Sequence, residues 1–329
     1  MRIGSTILIA IILFSSCTKK MYQARIVLMP DTQTYSEKYP EVLDSQINWI
    51  ARNAKQIVFV LQQGDLTQNN NVKEWTVIRN AFSKLNGKVP YVLAAGNHDM
   101  GSADGKFADV RNTSLYNQYF PLNIMQQLHG FGGTAEGKME NAYYRFTTGK
   151  QKWLVITLEF GPRNSILQWA DQIIIQHPAH TVIINTHSYM YSDSTRQGPG
   201  DSWRPQAYGV GKDTGDSIVN DGEQIWNKLV KKHPNVRFVF SGHVLNTGVG
   251  TLLSVNDAGY PVYQMLANYQ EGVQGSVKGG NGWLRILDMD FRKKTMRVST
   301  FSPYINKYMD DPQQQFLIRN LVYKPGSKN

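Results

Sequence analysis

The stretch Gly96-Asn97-His98-Asp99 directly follows an apolar run at 91–95, which predicts a buried strand ending where the polar residues begin. Amide, imidazole and carboxylate side chains in three consecutive positions suit a divalent metal ion, because Asn and Asp offer oxygen ligands and His offers nitrogen. Gly, Asn and Asp also favour turns, so the stretch by itself fits a polar turn about equally well. The rest of the chain favours the metal site.

Four other apolar runs end in residues of the same chemistry. The runs at 25–29, 57–61, 181–186 and 236–240 lead to Asp31, Asp65, His187 and His243. Spacings of 34 and 32 residues between Asp31, Asp65 and Asn97 match strand-helix-strand units, and the continuous apolar strands predict a sheet covered on both faces. Ligands of such sheets gather at the carboxyl ends of strands, so we expect the five side chains to converge. Any one of them alone also fits a turn, a helix cap or a hydrogen-bonded core residue.

Apolar periodicity predicts the remaining elements. Helices are expected near 40–50, 72–85, 115–120, 166–175 and 221–232, and an antiparallel strand pair at 142–146 and 153–158. Shorter strands at 262–266, 283–289 and 296–301 are expected to form the second sheet of a sandwich.

Two long connections, 100–140 and 188–220, leave strand ends at the expected site and are predicted to wall it. Trp203 and Tyr208 in the second connection offer stacking surfaces for a substrate. Arg163, Arg196 and Arg204 have the geometry to clamp a phosphate, but a solvated loop charge is the favoured interpretation of each.

The N-terminus predicts export. Arg2 and the apolar run at 7–14 are too short to span a bilayer, and they end at Ser15-Ser16-Cys17. This pattern resembles a bacterial lipoprotein signal at 1–17, in which Cys17 is lipidated and 18–24 form a tether, although Phe14 stands where an aliphatic residue is preferred. A plain secretory signal or an uncleaved anchor is the alternative. The expected location is the cell envelope, as a periplasm-facing or outer-membrane lipoprotein.

The formal net charge of +10 favours anionic ligands such as phosphate esters. The basic residues are scattered rather than arranged in a stripe, so we do not expect a nucleic-acid partner, and a nuclease is the weakest of the functions considered. Cys17 is the only cysteine, so a chain that is lipidated there forms no internal disulfide.

The blocks Asp31-x-Gln33, Gly64-Asp65, Gly96-Asn97-His98-Asp99, His187 and Gly242-His243 resemble, in order, the five motifs of the calcineurin-like metallophosphoesterase family. The resemblance covers about 26–245. It implies an α/β fold, a four-layer αββα sandwich of two mixed sheets. We assign this domain to 25–302, with 303–329 as a C-terminal extension packed on it. The implied activity is hydrolysis of a phosphate mono- or diester by a metal-activated hydroxide at a two-metal centre.

Carried over position by position, the resemblance implies that Asp65 bridges the two metal ions. Asn97, His187 and His243 complete one site, and Asp31 holds the other. His98, held by Asp99, is implied to stabilise the scissile phosphate or to protonate the leaving oxygen.

Two positions depart from the family pattern, and both fall on the Asp31 site. The first block has Gln33 in place of His, and the last block has Leu245 where a second His is usual. Gln33 through its amide oxygen, with Asn246 or water, is expected to fill that site. Oxygen ligands favour Mn²⁺ or Mg²⁺ there over Zn²⁺.

We therefore predict one tight and one weaker metal site, occupied by Mn or alternatively by Fe, Zn or Mg. The same two departures motivate a different hypothesis, in which the protein is a binding or scaffold lipoprotein of the envelope with an impaired metal centre.

Overall fold

A computed structural model describes residues 22–323, so Cys17, the predicted signal sequence and the start of the tether lie outside the described residues. The helices are α1 (Gln33–Glu37), α2 (Pro40–Arg52), α3 (Val72–Ser83), α4 (Ser114–Tyr119), α5 (Leu122–Met125), α6 (Asn164–Ile175) and α7 (Gly222–Lys228). The strands are β1 (Gln23–Met29), β2 (Ile57–Gln62), β3 (Tyr91–Leu93), β4 (Phe131–Thr134), β5 (Ala142–Thr148), β6 (Gln151–Leu158), β7 (Thr181–Thr186), β8 (Val236–Ser241), β9 (Val249–Val255), β10 (Pro261–Ala267), β11 (Leu284–Asp290), β12 (Thr295–Ser302), β13 (Lys307–Tyr308) and β14 (Gln315–Arg319).

Two mixed sheets form the body of the molecule. The first has the order β13-β12-β11-β1-β2-β3, with β14 also paired to β12, and its strands β1, β2 and β3 are parallel. The second has the order β4-β5-β6-β7-β8-β10-β9, and its strands β6, β7, β8 and β10 are parallel. The predicted α/β sandwich of two mixed sheets is confirmed.

The sheets pack face to face because their strands are apolar on both sides. In β7, Ile183 points into the cluster between the sheets, whereas Ile184 lies in a second cluster with Ile166 of α6. Across the sheets, Phe59 of β2 stacks on Phe146 of β5 with ring centroids 5.3 Å apart. Helices α2 and α3 cover the first sheet and α6 and α7 cover the second, which completes the four layers.

One expectation about strand membership is wrong. Of the three late strands assigned to the second sheet, only β10 belongs to it, since β11 pairs with β1 and β12 pairs with β11. The reason is that β1 would otherwise be an open edge of the first sheet, and the antiparallel β11 covers it. The strands β4 and β9 carry no apolar run and were not expected.

The two sheets are tied together by side-chain bonds close to the ends of the parallel strands. Asn185 of β7 donates from Nδ2 to the carbonyl of Gln62 at 2.9 Å, and Gln63 donates from Nε2 to the carbonyl of Ser241 at 3.0 Å. All four residues are buried. These bonds set the carboxyl ends of β2, β7 and β8 in register with each other.

The chain outside the predicted domain core also belongs to the sheets. β14 pairs with β12 over Gln315–Arg319, and β1 begins at Gln23, two residues before the predicted domain start. The division into domain and C-terminal extension stays a prediction. None of the helices between residues 22 and 323 is long and apolar enough to cross a bilayer.

Candidate metal centre

The five strand ends singled out in the sequence meet at one edge of the sandwich. Asp31 follows β1, Asp65 follows β2, Asn97 follows β3, His187 follows β7 and His243 follows β8. Each of these side chains is buried, with at most 4% of its surface exposed. Asp65, Asn97 and His243 line a cleft of about 360 Å³.

The closest cluster consists of Asp65, His187 and His243, whose potential ligand atoms all lie within 4.8 Å of one another. Nε2 of His187 is 3.1 Å from Oδ1 of Asp65 and 3.2 Å from Oδ1 of Asn97. An imidazole nitrogen and two oxygens therefore converge on one point. A divalent cation, or a proton on His187, satisfies such a donor set.

Backbone carbonyls fix how both imidazoles are oriented. Nδ1 of His187 lies 2.8 Å from the carbonyl of Gln63, and Nε2 of His243 lies 2.7 Å from the carbonyl of Trp203. A carbonyl oxygen only accepts, so each of these nitrogens carries a proton and donates. In the neutral form of each ring, the opposite nitrogen therefore offers its lone pair to the centre, and a metal ion at His187 would take the place of a proton on Nε2. Such carbonyl–imidazole pairs are the usual support of metal-binding histidines.

Electrostatics reinforce the cluster. Burial favours the neutral form of Asp65, yet His187 and His98 outweigh it and hold the pKa of that carboxyl well below its usual value. Burial lowers the pKa of His187, but Asp65 and Asp31 outweigh it and raise that pKa to about 9. For His243, burial and the neighbouring His187 lower the pKa to about 3, so this ring is neutral. Burial raises the pKa of Asp31 to about 8.

The Asp31 half of the centre is built differently. Both carboxylate oxygens of Asp31 accept the backbone N–H of His243, at 3.2 and 3.1 Å, and Oδ2 also accepts Nε2 of Gln270 at 3.2 Å. Gln33 is 5% exposed, and its Oε1 is buried without a hydrogen-bond partner in the described part of the chain. An unpartnered buried amide oxygen is costly unless a cation or donor joins it.

The backbone around the cluster is tightly constrained. Asp65 has φ 49° and His243 has φ 74°, left-handed values that are uncommon for residues with a side chain and are often found at functional sites. Gly96 and Gly242 are required by close approach. A Cβ at Gly96 would lie 2.0 Å from Oδ1 of Asp65, and one at Gly242 would lie 2.2 Å from Oδ1 of Asp31.

The model of the calcineurin-like phosphoesterases matches residues 24–246, which include every residue of this centre except Gln270. The chain belongs to the calcineurin-like phosphoesterase family. It is 30% identical over 295 residues to YvnB of Bacillus subtilis, an uncharacterized protein, in a match that covers 87% of this chain and 20% of that one. This chain thus spans about a fifth of the length of that relative.

A solved plant structure has the same fold. A purple acid phosphatase from yellow lupin (Lupinus luteus) seeds is 16% identical, with a TM-score of 0.52 over 90% of this chain and 54% of that chain. The NAD nucleotidase of Haemophilus influenzae is 14% identical, with a TM-score of 0.43 over 87% of this chain and 49% of that chain. The lupin phosphatase is thus about twice as long as the region shared with it.

The hydrogen bonds of His98, the histidine of the Gly-Asn-His-Asp motif, differ from those expected. Nδ1 of His98 donates to the carbonyl of Gln68 at 2.7 Å, and its ring packs at a tilt against Phe107 with centroids 3.9 Å apart. Asp99 does not hold this ring. Its carboxylate accepts the backbone N–H groups of Gly96, Leu66 and Thr67 and the hydroxyl of Thr67, at 2.8 to 3.0 Å.

Asp99 therefore joins the Gly-Asn-His-Asp turn to the Gly-Asp loop, and its contribution is to position Asp65 and His98. Oδ1 of Asp65 in turn accepts the backbone N–H of His98 at 3.0 Å. Burial and the nearby Asp65 raise the pKa of Asp99 to about 6.

The three arginines considered as phosphate clamps do not line the cleft, and each is paired with a carboxylate. Arg163 pairs with Glu159 at 2.9 Å, Arg196 with Glu223 at 2.8 Å, and Arg204 with Asp221 at 2.6 Å. The lysine of the cleft lining, Lys38, lies beside two carboxylates, those of the half-buried Glu37 and the exposed Glu271. Trp203 and Tyr208 do line the cleft, as expected.

Gln270 is the residue of the centre that sequence reasoning missed. It follows β10, which is parallel to β8 in the second sheet, so its strand ends at the same edge as His243. Extending the strand-end rule to the run at 262–266 would have found it. Asn246, expected to fill the Asp31 half, instead donates from Nδ2 to the hydroxyl of Ser192 at 3.0 Å and is exposed.

Proposed function

We propose that this phosphoesterase hydrolyses a phosphate mono- or diester at a two-metal centre, in which Asp65 would be a ligand shared by both ions. The observation that carries the proposal is the convergence of Asp65, His187 and His243 within 4.8 Å beside a cleft, in a chain of this family. The supporting donor set mixes nitrogen and oxygen, which suits Mn²⁺ and also accommodates Fe, Zn or Mg.

When bound, the ions supply an activated water and neutralise charge on the phosphoryl oxygens. Asp65, Asn97 and His243 line the cleft, so an ester that binds in the cleft would lie next to these proposed metal ligands. His98 has Nδ1 committed to Gln68, so Nε2 is left for the ester. As the bond from phosphorus to the leaving oxygen breaks, Nε2 transfers its proton to that oxygen, while water provides the new oxygen on phosphorus.

Hydrolysis of an aryl phosphate monoester and diester with added Mn²⁺ tests this proposal. We expect kcat/KM to fall about 10³-fold in Asp65→Asn and about 10²-fold in His98→Ala, the range that a lost metal bridge or general acid costs. His129→Ala is the matched control, since His129 is exposed and does not line the cleft, and it should match the wild type. Equal rates in all four proteins would reject hydrolysis and favour the scaffold alternative.

We also propose that the protein is a lipoprotein of the cell envelope, anchored through Cys17. Its first strand begins at Gln23 and ends beside the centre, so an anchor before residue 22 attaches about 20 Å from the cleft, at the opposite edge of the sheet. That end of the sheet carries a depression lined by the carboxylates of Asp288, which pairs with Arg25, and Asp290, and by four further basic side chains that suit anionic lipid headgroups: Lys55, Lys293, Arg297 and Arg319. The cleft would then face away from the membrane.

Labelled fatty acid should be incorporated into the wild type expressed in bacteria and not into Cys17→Ser. A wild type that takes up no label, or that remains in the soluble fraction, would reject the lipoprotein assignment without affecting the proposed hydrolysis.

A further inference from the structure

We propose that Gln270 is a metal ligand of this chain, and that with Asp31, Gln33 and Asp65 it forms an oxygen-only site for a hard divalent cation such as Mn²⁺ or Mg²⁺. The inference rests on the proposed two-metal function and names the ligands and the cation class of its weaker half.

The position where the family usually has a second histidine offers no ligand here. Leu245 lines the cleft with a hydrocarbon side chain. Its neighbour Asn246 is exposed and bonded to Ser192, outside the cleft lining. A substitute must therefore come from another part of the chain.

Gln270 meets the requirements for that substitute. It is 6% exposed, lines the cleft, and its amide lies 3.2 Å from Oδ2 of Asp31, although the two residues are 239 positions apart in the chain. Its backbone N–H donates to Oδ1 of Asn268 at 3.1 Å, which fixes the loop after β10. Rotation of the amide by 180° exchanges its nitrogen and oxygen at nearly the same positions, and brings Oε1 to the side of Asp31.

A second, independent observation points to a cation. Oε1 of Gln33 is buried without a hydrogen-bond partner in the described part of the chain, and Gln33 lines the same cleft as Gln270. A buried amide oxygen is rarely left unpartnered, because desolvation without a new contact is unfavourable. A cation held between Gln33, Gln270 and Asp31 would provide that contact.

The resulting donor set consists of two carboxylates and two amide oxygens. Such sets bind Mg²⁺, Ca²⁺ and Mn²⁺, whereas Zn²⁺ favours sites that include imidazole or thiolate. The opposite half, with His187 and His243, accepts Zn²⁺ and Fe as well. The two halves are thus expected to differ in cation preference and not only in affinity.

Mn²⁺ titration of chelator-treated full-length protein, followed by the EPR signal of free Mn²⁺, tests the inference without any measurement of hydrolysis. The wild type should show one tight and one weaker site. Gln270→Met, which keeps the side-chain volume and removes the amide, should weaken the weaker site at least tenfold and leave the tight one unchanged. Asn246→Ala, the matched amide outside the cleft, should change neither.

A gain-of-function variant provides a second readout. Leu245→His returns an imidazole to the weaker half, and we expect its Zn²⁺ affinity to rise at least tenfold in calorimetry. Unchanged Mn²⁺ constants in a folded Gln270→Met protein, or a weaker site lost in Asn246→Ala, would overturn the inference.

The two proposals fail separately. Two Mn²⁺ sites that depend on Gln270 in a protein without esterase activity would reject the function and keep the ligand. Esterase activity in a protein whose Mn²⁺ binding is unchanged by Gln270→Met would reject the ligand and keep the function.

Discussion

The two halves of the proposed metal centre would share Asp65, but their side chains are arranged for a metal ion to different degrees. In the half with Asn97, His187 and His243, backbone carbonyls orient both rings, and the remaining ring nitrogens already lie close together beside Asp65. In the half with Asp31, the ligands bond to one another, and the amide oxygen of Gln33 has no partner in the described residues. A prepared half binds an ion with little rearrangement. The other must first break the bond between Gln270 and Asp31, which costs affinity.

The largest expected effect comes from removing a ligand of the prepared half. His187→Ala deletes an imidazole and leaves the buried carboxylate of Asp65 without its imidazole partner. Outer-shell partners alone typically cost 10–100-fold in metal affinity, so we expect a loss of more than about 100-fold for this ligand. Metal analysis after dialysis should find no tightly bound ion. A variant that keeps one ion would show that the Asp31 half is the tighter one.

Two glycine variants are expected to disturb the two halves differently, because the added methyl groups clash with different carboxylates. The Cβ of Gly96→Ala would push against the shared carboxylate of Asp65, whereas that of Gly242→Ala would push against Asp31 alone. Each clash costs about 1–3 kcal/mol of folding free energy by overpacking. Gly96→Ala should therefore impair both Mn²⁺ sites, and Gly242→Ala only the weaker. Equal loss of both sites in the two variants would mean that the halves do not bind independently.

Asp99→Asn tests the support common to both halves. The carboxylate of Asp99 accepts hydrogen bonds from backbone N–H groups, and the NH₂ group of Asn would face one of these donors instead. Each hydrogen bond to a buried charge is worth about 1.5–3 kcal/mol. We expect lower stability in urea and about a tenfold lower kcat with KM little changed, because Asp99 positions Asp65 and His98 without touching the ester. A larger effect on KM than on kcat would contradict this positioning role.

The smallest effect is expected outside both halves. Arg163 bonds to Glu159 and to the exposed Glu136, away from the cleft. Arg163→Ala should lower stability, since the buried Glu159 loses a partner, but kcat/KM should change less than about threefold in the folded protein. A rise in KM of tenfold or more would show that Arg163 contacts the phosphate group of the substrate, contrary to its pairing with Glu159.

The sequence predicted the strands of the fold better than it predicted contacts between distant side chains. The apolar runs before Asp31, Asp65, Asn97, His187 and His243 are strands in the structure, with ends within about two residues of those expected. Runs of this kind are informative because burial on both faces requires every side chain to be apolar. β4, with two glycines among its four residues, carries no such signal.

Contacts between distant residues were harder to predict. The family resemblance implied that Asp99 holds His98, but these adjacent side chains point in different directions in the turn. The carboxylate turned instead to the loop at Leu66 and Thr67. Likewise, nothing local distinguishes a late strand that pairs with β1 from one that pairs with β8, because pairing depends on edges formed elsewhere.

The sequence by itself determined the chemistry of the donors and their order along the chain, because side-chain type and apolar periodicity are local properties. It also marked the two departures, Gln33 and Leu245, that make the halves unequal. Only the tertiary structure decided which amide approaches Asp31, because Gln270 and not Asn246 is brought there by the parallel pairing of β10 with β8. That choice depends on contacts across more than two hundred residues, which no local pattern encodes.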